Sequence, residues 1–233
     1  HHAGMIFLST SRVYPLRKIH ELNYRALSTR FELENQQQIP GVSPKGISED
    51  FPLDGARTLY GTTKLASELL IADYIENYRL PIIINRCGVL TGPWQMGKVD
   101  QGVVVLWMAK HFFGGKLSYI GFEGKGLQVR DMLHVEDLAD LIEMQLHRPE
   151  HFSGETFNVG GGVELSSSLL ELTEWCEKIT GQSIPIQSDP ESRPGDIPWF
   201  ITDSRRIQNH SGWKPKRNLE SIFEEIHHWI PVS

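Results

Sequence analysis

The segment "LYGTTKLASELLIADYIENY" (59–78) runs through a single arginine into "LPIIIN" (80–85), and this junction restricts the fold more than any other stretch of the chain. The first segment repeats apolar residues near the 3.6-residue helical period, with Leu65, Leu69, Ile71 or Ala72, and Ile75 on one side. The second is a short unbroken apolar run, the pattern of a strand covered on both faces in a parallel sheet. "MIFLST" supplies a similar strand over Met5 to Ser9. Strand, crossover, helix, strand predicts an α/β fold. Residues 15 to 56, between the first strand and the helix, are polar and rich in Gln, Pro, Ser and Gly. A connection this long inside a compact domain usually has a function.

The rest of the chain continues the alternation. "TGPW" reads as a turn, residues 101 to 113 as a helix closed by Gly114 and Gly115, and "KLSYIG" as a short strand before the glycine-rich turn "GFEGKG". "DLADLIEMQL" (137–146) is helical, with Leu138, Leu141, Ile142 and Met144 or Leu146 inward. "TFNVGGG" is a strand running into a turn. Ser166 is placed to cap a helix reaching about Thr180, with Gly181 at its end. Short helices follow near Asp203 and from about Leu219 to Trp229.

Composition removes several classes of function. The formal charge is −6 and no long basic run exists, which argues against a nucleic-acid partner. No apolar run approaches the length of a membrane span, and no signal peptide is visible. Two cysteines, Cys87 and Cys176, make no disulfide framework and point to a reducing, cytoplasmic compartment. His147 and His151 are four apart with Pro149 between them, and no metal-ligand motif supports a metal site there. The chain opens almost inside a core strand, without an initiator methionine, so it reads as a fragment, and His1 and His2 read equally as a tag remnant or native residues.

Tyr60 and Lys64 stand four apart at the start of the long helix, where such residues share a face. Spacing alone does not decide their role. With six tyrosines and ten lysines in the chain, roughly 0.3 such pairs arise by chance, and Tyr14 with Lys18 is a second one. Context separates them. Pro15 biases Tyr14 towards extended structure, whereas Tyr60 begins a helical pattern. One absence is equally informative. A dinucleotide fold brings backbone amides to the pyrophosphate at a glycine-rich first turn. Neither that pattern nor a P-loop occurs here, and "GFEGKG" has its glycines in the wrong order after the wrong element.

Taken together, "FLSTSRVY", "ISEDFPL", "LYGTTKLASE", "INRCGVLTGP", "GLQVRDMLHVEDLAD", "ETFNVGGG", "SRPGD" and "SGWKPKRNLE" resemble the extended short-chain dehydrogenase/reductase family, specifically its nucleotide-sugar epimerases and dehydratases. The motifs occur in the family's order over nearly the whole chain. The resemblance implies the C-terminal part of a doubly wound, Rossmann-like parallel sheet plus a smaller mixed α/β substrate-binding domain. The expected division is 1–95 for the cofactor side and 96–233 mainly for the substrate side, with short returns to the first. The half carrying the glycine-rich turn is then missing from this chain.

What the resemblance implies for the site is specific. Tyr60 is the base that takes a hydroxyl proton while hydride leaves the carbon, and a neighbouring ammonium, Lys64, favours its anion. Lys64 also holds the nicotinamide ribose, and Thr10, three residues before Val13, bonds the sugar oxygen. Tyr60, Lys64 and Cys87 fall among the contacts to NAD, with NADP not excluded. Arg130 meets the diphosphate of a nucleotide-diphosphate sugar, since a guanidinium matches phosphate oxygens in pairs. Arg193 and Asp196 hold the diphosphate and ribose, and Gln101 opens a helix whose amides could meet a phosphate. Dehydratases carry Asp-Glu after the threonine, and Ser11 and Arg12 stand there instead. The expectation is therefore an NAD-dependent epimerase working through a transient keto-sugar, closest to the CDP-tyvelose (CDP-paratose) 2-epimerase branch. The alternatives are a dehydratase or ketoreductase on the same scaffold, or a non-catalytic remnant that keeps a sugar-nucleotide pocket. A homodimer through the 59–78 helix completes the set of expectations.

Overall fold

Alternating apolar side chains along "PIIIN" decide how the layers stack. In a computed structural model that describes residues 3–98 and 101–232, β1 (Met5–Thr10) leads through a short 3-10 turn, Ser11–Val13, to α1 (Leu16–His20). The 15–56 stretch then carries two small hairpins, β2 (Tyr24–Ala26) with β3 (Phe31–Leu33), and β4 (Val42–Ser43) with β5 (Gly46–Ile47). The crossover helix α2 spans Leu59–Tyr78, as its period predicts, and β6 covers Ile82–Cys87. After it come β7 (Val89–Thr91), α3 (Val103–Phe113), β8 (Leu117–Ile120) and β9 (Val129–His134). Next are α4 (Val135–His147), α5 (Pro149–Phe152), β10 (Thr156–Val159), β11 (Ser166–Ser168) and α6 (Leu169–Thr180). β12 (Ile186–Asp189), β13 (Trp199–Phe200), α7 (Arg205–Ser211) and α8 (Leu219–Trp229) complete the order.

β6 is the centre of an all-parallel sheet, ordered β1-β6-β10, in which Thr10 pairs with Cys87 and Val159 pairs with the same Cys87 from the other side. Successive side chains of a strand face opposite ways. Ile82 and Ile84 therefore pack with Ile71 and Ile75 of α2, while Ile83 packs with Leu138 and Leu141 of α4. Asn85, on the α4 side, exchanges amide hydrogen bonds of 2.8 and 3.0 Å with buried Gln145. A second sheet is built on β9, which pairs with β7 and β13 in parallel and with β11 antiparallel. A third core lies between α3, α6 and α8, around Met108, Leu172, Cys176, Phe223 and Ile226.

Two local expectations need correction, and one alternative is decided. Leu69 is 67% exposed, not inward. The inward side of α2 runs Gly61, Leu65, Glu68, Ile71, Ile75, and its central position is a buried glutamate rather than a leucine. An apolar count misphases the helix because the charge of Glu68 is offset by Arg86, 2.7 Å away. Of the pair Met144 or Leu146, Met144 is the inward member and Leu146 is exposed. Finally, Ser168 caps α6, not Ser166. Residues 166–168 are occupied as β11, and Ser168 with Glu171 forms the reciprocal capping box.

Candidate active site

The carboxyl ends of β1 and β6 and the amino end of α2 converge. Thr58 caps α2, its Oγ1 accepting from the Gly61 N–H at 3.1 Å. Gly61 has no room for a side chain, because a Cβ there would stand 2.0 Å from the Arg12 carbonyl oxygen. The first turn of α2 therefore lies directly on the Ser11–Val13 turn, and Tyr60 stands beside it, 56% exposed. Thr10 is buried at the strand end, and its Oγ1 accepts from the Arg12 N–H at 3.2 Å, fixing the turn. Lys64 reaches back across the sheet edge. Its Nζ donates to the Leu8 carbonyl at 2.8 Å and lies 4.8 Å from the centre of the Phe7 ring. Cys87, in register with Thr10, is buried; burial pushes its thiol up to about 12, with the Lys64 charge pulling the other way.

A buried polar network supports this edge. Ser9 Oγ donates to Glu68 Oε1 at 2.5 Å, and Arg86 holds Glu68 through Nε and Nη2. Arg86 Nη1 also reaches the Tyr14 hydroxyl at 3.3 Å, and that hydroxyl donates to Asn158 Oδ1 at 2.7 Å. Tyr14 is thus a core residue; burial pushes its phenol up to about 12, and its sequence partner Lys18 pairs with Asp54 instead. The second Tyr–Lys spacing carries no site.

The loop 193–196 docks on the same place. Gly195 has its Cα face toward Thr58, 3.0 Å from where a Cβ would stand, and its carbonyl accepts from Arg12 Nη1 at 3.1 Å. Asp196 Oδ2 accepts from the Arg193 N–H at 3.2 Å, and the Asp196 carbonyl accepts from His20 Nε2 at 2.9 Å. Arg130, on β9, donates to the carbonyls of Val129 and Ile197 at 2.7 and 2.6 Å. Burial, and then the charge of Arg12, pushes Arg130 down to about 9, against Asp196 and Asp131. The neighbouring Asp131 anchors the glycine turn after β10 and the segment after β13: its oxygens accept from the N–H of Gly162 and from the N–H and Oγ1 of Thr202.

Thr10, Lys64, Cys87 and the start of α2 that carries Tyr60 thereby lie at one end of the first sheet, and Arg12 ties that end to the loop of Arg193 and Asp196, next to which Arg130 is anchored. Gln101 stands apart. It is exposed, bridges to Lys98, and sits before Gly102, which caps α3; no described contact joins it to the others. His147 and His151 donate to the carbonyls of Glu143 and His210 rather than to each other. A different group, His134, Glu136 and Glu225, gathers potential ligand atoms within 4.8 Å. Both of its glutamates already pair with Arg217, and His134 Nδ1 accepts from the Glu136 N–H, which puts the neutral ring's proton on Nε2, facing Glu225. Sequence reasoning missed Arg12 and the Glu68–Arg86 pair as parts of this arrangement. The signal for the latter was a lone acid four residues after Lys64, on the same helical face.

The parallel sheet with a Tyr-x-x-x-Lys helix set against a hydroxyl-bearing strand end is the architecture of the extended short-chain dehydrogenases/reductases. The chain belongs within them to the GDP-mannose 4,6 dehydratase family, whose model matches residues 41–226. It is 28% identical over 228 residues to CDP-paratose 2-epimerase of Salmonella typhi, covering 97% of this chain and 64% of that protein. It is 29% identical to UDP-glucose 4-epimerase of Bacillus subtilis, covering 82% of this chain and 58% of the other. Among solved structures, Pal from Bacillus thuringiensis superposes with a TM-score of 0.76 at 26% identity, over 99% of this chain and 63% of that one. UDP-glucuronic acid 4-epimerase from Bacillus cereus, solved with UDP-glucuronic acid and NAD, shares the fold, with a TM-score of 0.73 at 23% identity over 98% of this chain and 62% of that one. The chain thus spans less than two thirds of the length of these relatives.

Proposed function

We propose that the protein containing this chain is an NAD-dependent epimerase of a nucleotide-diphosphate sugar. The observation that carries the reading is the clustering of Tyr60, Lys64 and Thr10 at one sheet edge, with Arg130, Arg193 and Asp196 next to it. An exposed phenol, an ammonium one turn on and the carboxyl ends of two parallel strands fit the nicotinamide end of a dinucleotide, which binds outside such strand ends. Tyr60, Lys64 and Cys87 would hold it, and when bound it supplies the acceptor and donor of hydride. Tyr60 takes the hydroxyl proton of the sugar and later returns it. Lys64 steadies the phenolate and Thr10 orients the sugar oxygen. Arg130, Arg193 and Asp196 fix the nucleotide diphosphate, with residues 96–233 forming most of that side and β10 returning to the first sheet. The family name and several relatives point to dehydration, but elimination of water calls for acids beside the threonine, and Ser11 and Arg12 offer none.

The same reading includes a homodimer and a cytoplasmic location. Leu59, Leu69, Leu70, Tyr74 and Tyr78 all stand at least half exposed on α2, and one such stripe in addition to the inward face suits a two-fold contact. Two buried free cysteines suit a reducing compartment. No helix among the described residues is long and apolar enough to cross a membrane.

The test is turnover of nucleotide sugars by the full-length protein with NAD in deuterated water. Epimer without deuterium at the inverted carbon supports internal hydride return. Tyr60→Phe should lower turnover by roughly 100-fold or more while NAD still binds. Release of water, or deuterium at that carbon, would refute the proposal.

A further inference from the structure

α2 carries apolar residues on more than one side, so apolarity alone does not decide which side it turns to the sheet. Leu65, Ile71 and Ile75 face inward, while Leu69 and Leu70 are left exposed. Burying Leu69 in place of Glu68 would take more apolar surface out of water and leave a carboxylate in it. The change needs a turn of the helix by about 100°, the angle between neighbouring residues. The same turn would carry Tyr60 and Lys64 away from the end of β1.

Directional contacts oppose that turn. Glu68 accepts from Ser9 on β1 and is held by Nε and Nη2 of Arg86 on β6. Ser9 and Arg86 are paired across the two strands, so one carboxylate is gripped by neighbours on both. Arg86 also reaches the Tyr14 hydroxyl, which donates on to Asn158 of β10. Burial works against the Arg86 charge, yet Glu68 and Tyr14 hold the group above its ordinary value. Lys64, one turn before Glu68, meets the Leu8 carbonyl, so adjacent turns of α2 touch adjacent residues of β1. The apolar contacts of Ile71 and Ile75 with Ile82 and Ile84 have no such direction.

We infer that Glu68 is a positioning residue: clamped by Ser9 and Arg86, it selects the side of α2 that faces the sheet and so sets Tyr60 and Lys64 at the strand ends. The inference rests on the epimerase reading, in which those two residues serve the sugar and the nicotinamide. The pair is kept for orientation rather than stability, since apolar residues of similar volume are often as stable as a buried ion pair.

The experiment compares the full-length protein with Glu68→Leu/Arg86→Met. Urea unfolding is read beside NAD-dependent turnover of UDP-glucose, UDP-glucuronic acid and CDP-paratose between about pH 5 and 9. The double variant should unfold near the parent's midpoint with the parent's KM for the sugar, yet turn over roughly 10- to 100-fold more slowly, as misplaced reacting groups do. The acid limb of its pH profile should move to higher pH, because a withdrawn Lys64 no longer favours the Tyr60 anion. Parental turnover in the double variant overturns the positioning role. So does a loss of rate that follows a loss of stability while the pH profile stays in place, the mark of a merely structural pair. If the double variant does not fold, Ser9→Ala decides, since it keeps the ion pair and cuts only the tie to β1. Turnover roughly 3- to 10-fold slower at the parent's urea midpoint, with the same displaced profile, supports the role. The parent's rate and profile in Ser9→Ala overturn it. All these failures leave the epimerase reading standing, whereas a parent that epimerises none of the nucleotide sugars overturns that reading and the positioning role with it.

Discussion

Replacing Gly61 by alanine tests the claim that close approach, rather than helix chemistry, sets this residue. In an ordinary helix interior the exchange favours folding by about 1 kcal/mol, since glycine is the poorer helix former. Here a Cβ would meet the Arg12 carbonyl oxygen at 2.0 Å and its carbon at 2.8 Å, where ordinary contact begins at 3.4 Å. Both atoms are backbone, so relief requires α2 and the Ser11–Val13 turn to separate by more than about 1 Å. Overpacking of this kind costs about 1–3 kcal/mol. Set against the propensity gain, the net expectation is a loss of up to about 2 kcal/mol. For a chain of this size a loss of about 2 kcal/mol lowers the melting temperature by about 4–8 °C. The separation also moves Tyr60 away from Thr10, and a misplacement of about 1 Å can lower turnover by roughly 100-fold. Scanning fluorimetry and steady-state turnover of the full-length Gly61→Ala protein read the two effects. A variant as stable as the parent and fully active would show that the helix accommodates the methyl group, and the argument from close approach would fail.

Other expectations follow from the buried charges and the exposed helix face. Glu68→Leu leaves Arg86 buried without its partner and should cost about 3–5 kcal/mol in urea unfolding, with much of it recovered in Glu68→Leu/Arg86→Met; a single-variant loss below about 1 kcal/mol would contradict this. Burial holds the His134 imidazole below its ordinary value of 6.5, with Glu225 opposing. The folded protein then binds fewer protons than the unfolded chain, so this contribution is present above that range and is lost as pH falls through it. His134→Asn, which keeps an acceptor for the Glu136 N–H, should flatten the fall of melting temperature between about pH 7 and 5; an unchanged slope would assign it to other groups. Glutamate at Leu70 and Tyr74 together should convert a full-length dimer to monomer in light scattering, and a dimer that survives would place the contact elsewhere.

Where sequence patterns agreed with physics at one level only, they were readable. The bounds of α2 follow from its period, its Thr58 cap and the apolar run beyond it, and α8 was equally plain from Leu219 to Trp229. β9 escaped because "VRDMLH" alternates nothing recognisable. Its Arg130 and Asp131 are polar yet sit in a central strand, each satisfied by backbone groups of loops far away in sequence. Such long-range satisfaction leaves no local trace. β11 escaped for a related reason: three serines look like loop and cap until their partner strand is known.

The candidate site shows the same division more sharply. Tyr60, Lys64 and Thr10 were singled out by local spacing and motif order, and the fold brings the amino end of α2 to the carboxyl end of β1. Arg12 was legible only as a departure from a pattern, an arginine where an acid is expected. Its significance needed the fold, which brings residues 12, 130 and 195–197 to one place although they lie on three separate segments. A departure that merely removed an acid would leave a neutral gap. This one places a partly desolvated cation there, its guanidinium on the Gly195 carbonyl at 3.1 Å and the charge of Asp196 nearby to offset its own. Position 12 thus carries an arginine that ties the turn after β1 to the 193–196 loop, where the compared pattern would carry an acid.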